Sequence, residues 1–471
     1  MLGRPRIGQL CLVVTLLAGC VRRPSAPTAH ASTAGPLTVV PIGLCEDYPE
    51  ESRSMAEVRR DMALMASAGV RTLRVSVGWD GVEPARGQYD LAFWDSFFAE
   101  MAAAGIRVIP YVAYTPRWAS SGTGDDFWRY PPANVQAFAA TMGMLVRRYH
   151  GTVGSWELWN EPDNRDYWRG TVAQFADLLV AGARAVRAAD PTAKVVFGGI
   201  AGHPAFAAEV MARPELAGLI DVVNAHAYFE TWNPDSLETL PRYLAAFDPV
   251  LRNGAPVLRN GGRSLWLAEV GYSNYRAEGA VSADVQARFA YEHTLPFQAV
   301  ALVRTLALAL SLPQVSLVAW YELKDPRAGA PMIGDDNNRH LGVAFSDWRP
   351  KPALAALALI ERLFGRGFRR ADGLLHTQRE PGSRAEVHAF VTAQGRVAIV
   401  AWVPTAAQSV EHVSVNLAGL TAAGPASWWD AEGHARPAPS GAVVVPGQEP
   451  KLDGLELRGD DVVVVEIPLG S

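Results

Sequence analysis

Two glutamates, Glu161 and Glu269, stand 108 residues apart, each at the downstream end of a short apolar run. The first run is Gly154 to Asn164, G-S-W-E-L-W-N-E-P-D-N, and the second reads L-W-L-A-E-V-G-Y. A charge at the end of a buried strand is costly unless it is paired or used. Pro162 has no N–H to give a sheet ladder, so it stops the strand and fixes Glu161 at its mouth beside Asn160. Two carboxyls held at strand ends suit general acid/base and nucleophilic work, in which one stays protonated and the other ionised. Other polar residues close similar runs: Arg74 in L-R-V-S-V-G-W, His226 and Tyr228 in N-A-H-A-Y, and Trp320 in A-W-Y-E-L-K-D. Strand alternation puts His226 and Tyr228 on one face. Arg74 could instead serve only Glu83 or Asp80, and His226 could be a satisfied core histidine. No His/Asp/Cys cluster has ligand spacing, so no metal and no cofactor is expected.

These residues need a scaffold that gathers strand ends. From Leu37 to about Gly365 strand-like and helix-like segments alternate in units of roughly 30 to 45 residues, as in a parallel βα barrel. Strands are expected at Leu37–Gly43, Thr72–Val77, Arg107–Ala113, the Gly154–Asn160 stretch, Lys194–Gly199, Asp221–His226, Leu265–Glu269 and Val315–Tyr321. Helices are expected at Ser54–Ala68, from a cap at Asp90 to Gly105, at Val135–Tyr149, after a Thr171 cap, within Ala283–Leu312 and at Pro352–Leu363. After Gly365 the texture becomes short alternating runs punctuated by Gly and Pro, with a hairpin over Ala385–Val403 turning at Gln394-Gly395. Further strands are expected at Val413–Leu417, Ala426–Asp430, Ala442–Val445 and Asp461–Ile467, making an all-β sandwich. The fold class is therefore α/β, a (β/α)8 TIM barrel over 37–365 with a C-terminal sandwich over 366–471.

The stretch W-E-L-W-N-E-P-D-N resembles the strand-four signature of the clan A retaining glycoside hydrolases, and the later strand ends match in order. The resemblance implies Glu161 as general acid/base, Glu269 as nucleophile and Asn160 as the partner of the sugar 2-hydroxyl. It implies Arg74 and Tyr228 as supports of the nucleophile, His226 at the strand-six position, and Trp320 as the aromatic floor under the sugar. Retaining hydrolysis needs two carboxyls about 5 to 5.5 Å apart. Arg74 should lower the pKa of Glu269, while burial and nearby negative charge should raise that of Glu161. Trp79, Trp118, Trp168 and Trp232 follow different strands, and each could be a sugar platform or core. The sandwich and the link N-N-R-H-L-G-V-A-F-S-D-W-R-P-K-P-A-L-A-A-L are most like family 39, including its exopolysaccharide-associated bacterial members. The expected function is internal cleavage of a β-linked cell-surface or secreted polysaccharide. An exo-acting β-xylosidase or iduronidase-like enzyme and a non-catalytic carbohydrate-binding lipoprotein remain open.

The start of the chain carries an address. Arg4 and Arg6 precede an apolar run, Leu10 to Leu17, too short to span a bilayer. Leu17-Ala18-Gly19-Cys20 resembles a bacterial lipobox, implying a signal peptide over 1–19, lipidation of Cys20 and anchorage in the cell envelope. Val21 at the following position implies the outer membrane. Residues 20–36 read as a flexible tether rich in Ser, Pro, Ala and Thr. Of the cysteines Cys11, Cys20 and Cys45, only Cys45 would remain as a free thiol, so an intrachain disulfide is not expected. A net charge of −5 argues against nucleic acid, and the membrane is expected as a partner only through the anchor. A monomer acting on oligo- or polysaccharide is the resulting expectation.

Overall fold

The computed structural model describes residues 35–470 apart from 49–52, 253–262, 276–280, 282, 331–332, 407–409 and 440–441. The signal peptide, Cys20 and most of the tether lie outside the described residues. Among the described residues no helix is long and apolar enough to cross a membrane.

Eight parallel strands close into a barrel in sequence order. They are β1 (Ile42–Glu46), β2 (Thr72–Gly78), β3 (Arg107–Ala113), β4 (Ser155–Asn160), β5 (Lys194–Ile200), β6 (Val222–Ala227), β7 (Ser264–Val270) and β8 (Val315–Trp320). Alternation divides each strand between two cores. Ile109, Val196, Trp266, Leu317 and their neighbours fill the barrel's interior, while Leu44, Val75, Leu158 and Val318 pack outward under the helices. The β2–β3 pairing runs unbroken from Thr72–Arg107 to Gly78–Ala113, whereas β6 and β7 slip register between Ala225 and His226. That bulge re-aims His226 beside Glu269 across the ladder.

Three local expectations change. Pro41 breaks the first apolar run, so the arm before it leaves the barrel. Thr38 exchanges two backbone hydrogen bonds with Phe368, at 2.7 and 2.9 Å, and β1 starts only at Ile42. Asp90 caps no helix: Leu91 holds the cap position of the Ala92–Ala103 helix, and Asp90 instead pairs with Arg53 at 2.7 Å. Residues 442–445 alternate buried and exposed side chains but pair with no strand among the described residues, so they form none. The Thr171 cap does form, as a capping box with Gln174 that opens the Val172–Ala189 helix.

Downstream lie β9 (Phe368–Arg370), β10 (Leu375–Arg379), β11 (Glu386–Thr392), β12 (Arg396–Trp402), β13 (Val410–Leu417), β14 (Ser427–Trp429), β15 (Ala435–Arg436), β16 (Lys451–Arg458) and β17 (Val463–Pro468). They build a six-stranded sheet, β15-β14-β17-β12-β11-β9, facing a three-stranded one, β10-β13-β16. The larger sheet is apolar on both faces. Val397, Ile399 and Ala401 of β12 enter the sandwich core, while Ala398, Val400 and Trp402 join the barrel's core. This is why β12 and β17 read as nearly continuous apolar runs. The Leu295–Ser311 helix, which leads into β8, is buried almost throughout beneath that sheet.

Phe390 stands at the seam, its ring 4.8 Å from Phe364 of the closing helix and 5.4 Å from Phe368. Phe390→Ala should therefore cost about 3–5 kcal/mol, read as a lowered denaturation midpoint in urea.

Candidate active site

The mouth of the barrel is organised by Arg74, which is wholly buried in β2. Its guanidinium reaches both oxygens of Glu157 at 2.9 Å, Oδ1 of Asn160 at 2.9 Å and Oε2 of Glu269 at 2.8 Å. The Tyr111 ring lies 4.2 Å from its guanidinium carbon. Neither Glu83 nor Asp80 is its partner. Glu83 is occupied by the indole of Trp79 at 2.9 Å and the hydroxyl of Thr141 at 2.6 Å.

Glu157 was not anticipated as part of the site, although the alternation of W-E-L-W-N-E points it inward with Arg74. Besides Arg74 it accepts hydrogen bonds from the Gly199 amide and Asn224 Nδ2, both at 2.9 Å. Burial alone would raise its pKa, but the charge and hydrogen bonds of Arg74 outweigh this and hold it down. Asn224 is oriented by the Ala268 amide, which donates to its Oδ1 at 2.9 Å. Its Nδ2 therefore faces Nε2 of His226 at 3.4 Å, which assigns the imidazole proton to Nδ1.

His226 Nδ1 lies 2.9 Å from Glu161 and 3.4 Å from Glu269. One oxygen of each glutamate and the imidazole nitrogen lie within 4.8 Å of one another. The two carboxyls have different company. Glu269 accepts from Arg74 and from the Tyr228 hydroxyl at 2.5 Å. Among the described residues no guanidinium bonds Glu161; besides His226, Asn164 Nδ2 donates to it at 3.0 Å. Its backbone is left-handed, with φ 45°, as is that of Trp159, with φ 77°. Such conformations cost about 1 kcal/mol or more each and concentrate at functional sites.

Burial pushes the Glu161 carboxyl up to about 7, with Asp163 adding to the rise and Asn164 opposing it. Burial also raises Glu269, against the lowering pull of His226 and Arg74. The expected lowering by Arg74 is thus present but does not prevail. Burial lowers the His226 pKa, with the charge of Glu269 opposing the fall and that of Arg74 adding to it. Glu161 is then the carboxyl that keeps a proton, and Glu269 the one with a cation to stabilise its charge. Glu161, His226 and Glu269 are also donor types that hold metals. Arg74, already 2.8 Å from Glu269, sets a positive charge where a divalent cation would bind, so the donor set fits one poorly.

The aromatic expectations need correction. Trp320 is fully buried and packs in the barrel's outer core, so it is no floor for a sugar. The strand ends one residue earlier than expected, and the next side chain, Tyr321, packs instead with the interior cluster. Tyr321 lies 6.3 Å from the Tyr228 ring. Trp79 and Trp168 are buried at 0% and 1% exposure and serve as core. Trp118 is half-buried, its indole donating to the Glu83 carbonyl at 2.8 Å. Trp232, 37% exposed, is the most open of the four, edge-on to Tyr228 at 4.6 Å and tied to Asp335 at 2.7 Å. Asp163 accepts three backbone amides from 201–203 and positions that loop.

Comparison with known proteins agrees with this architecture. A family model described as Glyco_hydro_42, beta-galactosidase, matches residues 47–127. A beta-galactosidase of Arthrobacter sp is 32% identical over 104 residues, 21% of this chain and 15% of that protein's length. A family 39 glycoside hydrolase from the gut symbiont Bacteroides cellulosilyticus WH2 superposes with TM-score 0.67 at 19% identity, covering 91% of this chain and 81% of that one. A GH39 beta-xylosidase from Caulobacter crescentus gives TM-score 0.59 at 17% identity over 93% and 98% of the two chains. A GH30 endoxylanase from Clostridium papyrosolvens C71 gives 0.61 at 13% identity over 92% and 97%. The chain resembles the clan A glycoside hydrolases, and its barrel with an appended β module is the fold of these family 39 and family 30 structures.

The assignment of the proton to Glu161 is open to direct measurement. In protein labelled with 13C at Glu side chains, the carboxyl resonance lost in Glu161→Gln should titrate at about 7. Asn164→Ala removes a hydrogen bond to the ionised form and should move that midpoint upward. A midpoint in the ordinary range near 4 would show that burial does not control this carboxyl.

Proposed function

We propose that the chain is a retaining O-glycoside hydrolase that acts by double displacement. The observation that carries this reading is the 4.8 Å grouping of Glu161, His226 and Glu269, with unlike partners on the two carboxyls. In the first step Glu269 attacks the anomeric carbon while Glu161 protonates the departing oxygen. The glycosyl ester on Glu269 is then hydrolysed by water that Glu161 deprotonates, restoring the original anomer. Arg74 and Tyr228 aim Glu269 and favour its charged form against burial. Asn160 turns Oδ1 to Arg74, which leaves its amide NH2 to donate to the sugar 2-hydroxyl.

Glu161→Gln and Glu269→Gln should each cut turnover by several orders of magnitude with the fold unchanged. On a β-glycoside with azide present, Glu269→Ala should yield the α-azide and Glu161→Ala the β-azide. Proton NMR of the first-formed sugar should show the substrate's own configuration; the opposite anomer would sink double displacement.

The substrate we propose is a β-linked polysaccharide at the cell surface, cut internally. Support comes from the anchor sequence, which would hold the enzyme where such a polymer is made or exported. The burial of Trp79, Trp168 and Trp320 removes the several platforms an extended cleft would use, and this favours the exo-acting alternative. A time course of product sizes separates the two: early mid-length oligomers mark internal cleavage, monosaccharide alone marks terminal cleavage.

We also propose export and lipid anchorage at Cys20, in the outer membrane. Cys20→Ser should abolish fatty-acid labelling and release the protein from membranes. Wild-type protein that incorporates no fatty acid and starts after residue 20 would overturn the anchor.

A further inference from the structure

Asp47 follows β1 directly, in an arc of the mouth whose neighbours are β8 and β2. Two phenols orient its carboxylate. The Tyr111 hydroxyl donates to Oδ1 and the Tyr321 hydroxyl to Oδ2, both at 2.9 Å. Tyr111 is the ring beneath Arg74, and Tyr321 is the ring edge-on to Tyr228. Arg74 and Tyr228 are the two groups that hold Glu269. Asp47 is therefore part of the same mouth, clamped between the supports of the attacking carboxylate.

Among the described residues, no Lys, Arg or His pairs with Asp47, and Arg74 is the one guanidinium or ammonium paired with Glu157 or Glu269. The nearby lysines are committed elsewhere: Lys324 to Glu46 at 2.7 Å and to Asp61 at 3.5 Å, and Lys351 to Asp325 at 2.6 Å. Each Asp47 oxygen holds one phenol and keeps a second lone pair. An oriented carboxylate with spare acceptor capacity and no counter-ion suits hydroxyl donors. A ligand carboxylate set against Asp47 and Glu269 would meet like charges, which repel at short range, and among the described residues the cation paired with Glu269 is Arg74, already shared with Glu157.

We propose that Asp47 binds hydroxyl groups of the sugar at the cleavage position, and that this sugar is neutral and not a uronic acid. The proposal rests on the glycosidase reading and narrows its substrate class. Tyr111 and Tyr321 are positioning residues that aim the Asp47 oxygens.

The test uses cyclophellitol-type epoxides in gluco, galacto and manno configurations, each as the neutral form and as the uronic acid. Glu269 opens the epoxide, forming an ester as the carbon–oxygen bond breaks, and the freed oxygen takes the proton from Glu161 to become a hydroxyl. Intact mass and peptide mapping read the label. A neutral epoxide should modify Glu269 and its uronic counterpart should not. Asp47→Asn should slow neutral labelling by about 10- to 100-fold, the equivalent of a hydrogen bond to a charged group. Asp47→Glu, which keeps the charge but displaces it, should slow labelling as well; near-UV circular dichroism checks that both variants fold. Uronic labelling of Glu269 as fast as neutral labelling would overturn the inference and leave the glycosidase reading standing. Unchanged labelling in both Asp47 variants would remove Asp47 from the binding site. Absence of label on Glu269 from every epoxide would overturn the glycosidase reading and the inference with it.

Discussion

A single buried cation holds the mouth of this barrel together. Arg74 is surrounded by Glu157, Glu269 and Asn160, and its charge is the only one of its sign bonded to that group among the described residues. Taking two carboxylates and a guanidinium out of water is expensive, and removing one partner from such a set leaves uncompensated buried charge. Geometry repays the cost here. The planar fork of arginine meets Glu157 through two nitrogens and still has one left for Glu269. A lysine could carry the charge but not the three directions.

From this constraint the rest of the site takes its asymmetry. Glu157 is held ionised, Asn160 is turned, and Glu269 has a cation and a phenol, while Glu161 across the mouth has neither. The same burial that raises both glutamates therefore acts on them unequally, because only one has Arg74 to oppose it directly. His226 joins the two, and burial holds its own pKa down.

The parts of this that depend on one strand at a time were legible in the sequence. Glu161 within N-E-P, Glu269 after L-W-L-A, and Arg74, His226 and Tyr228 near their strand ends all announce themselves by a polar residue closing an apolar run. What depends on the exact end of a strand was not. In W-Y-E one residue decides which aromatic faces in, and Trp320 and Tyr321 exchanged places because the pleat alternates. What depends on pairing across strands was hidden as well. Glu157 and Asp47 look like ordinary acids until Arg74 or the two tyrosines are placed beside them. The tryptophans were ambiguous for a different reason: an indole after a strand end can turn to the cleft or under a loop, and Glu83 draws Trp79 and Trp118 under.

The six-stranded sheet, apolar on both faces, has a further consequence. Its inner face completes the covering of the Leu295–Ser311 helix, which lies between β7 and β8, and its outer face closes the sandwich. The arm before β1 is stitched to Phe368 at the start of that sheet. The sandwich keeps a core of its own, but the barrel's outer core is shared, with Phe390, Ala398, Val400 and Trp402 as part of it. In evolutionary terms the chain after Phe364 is not a detachable cargo that recombination could trade for another module. Exchange at that joint would strip a wall from the barrel's outer core, so the barrel constrains which module can follow it.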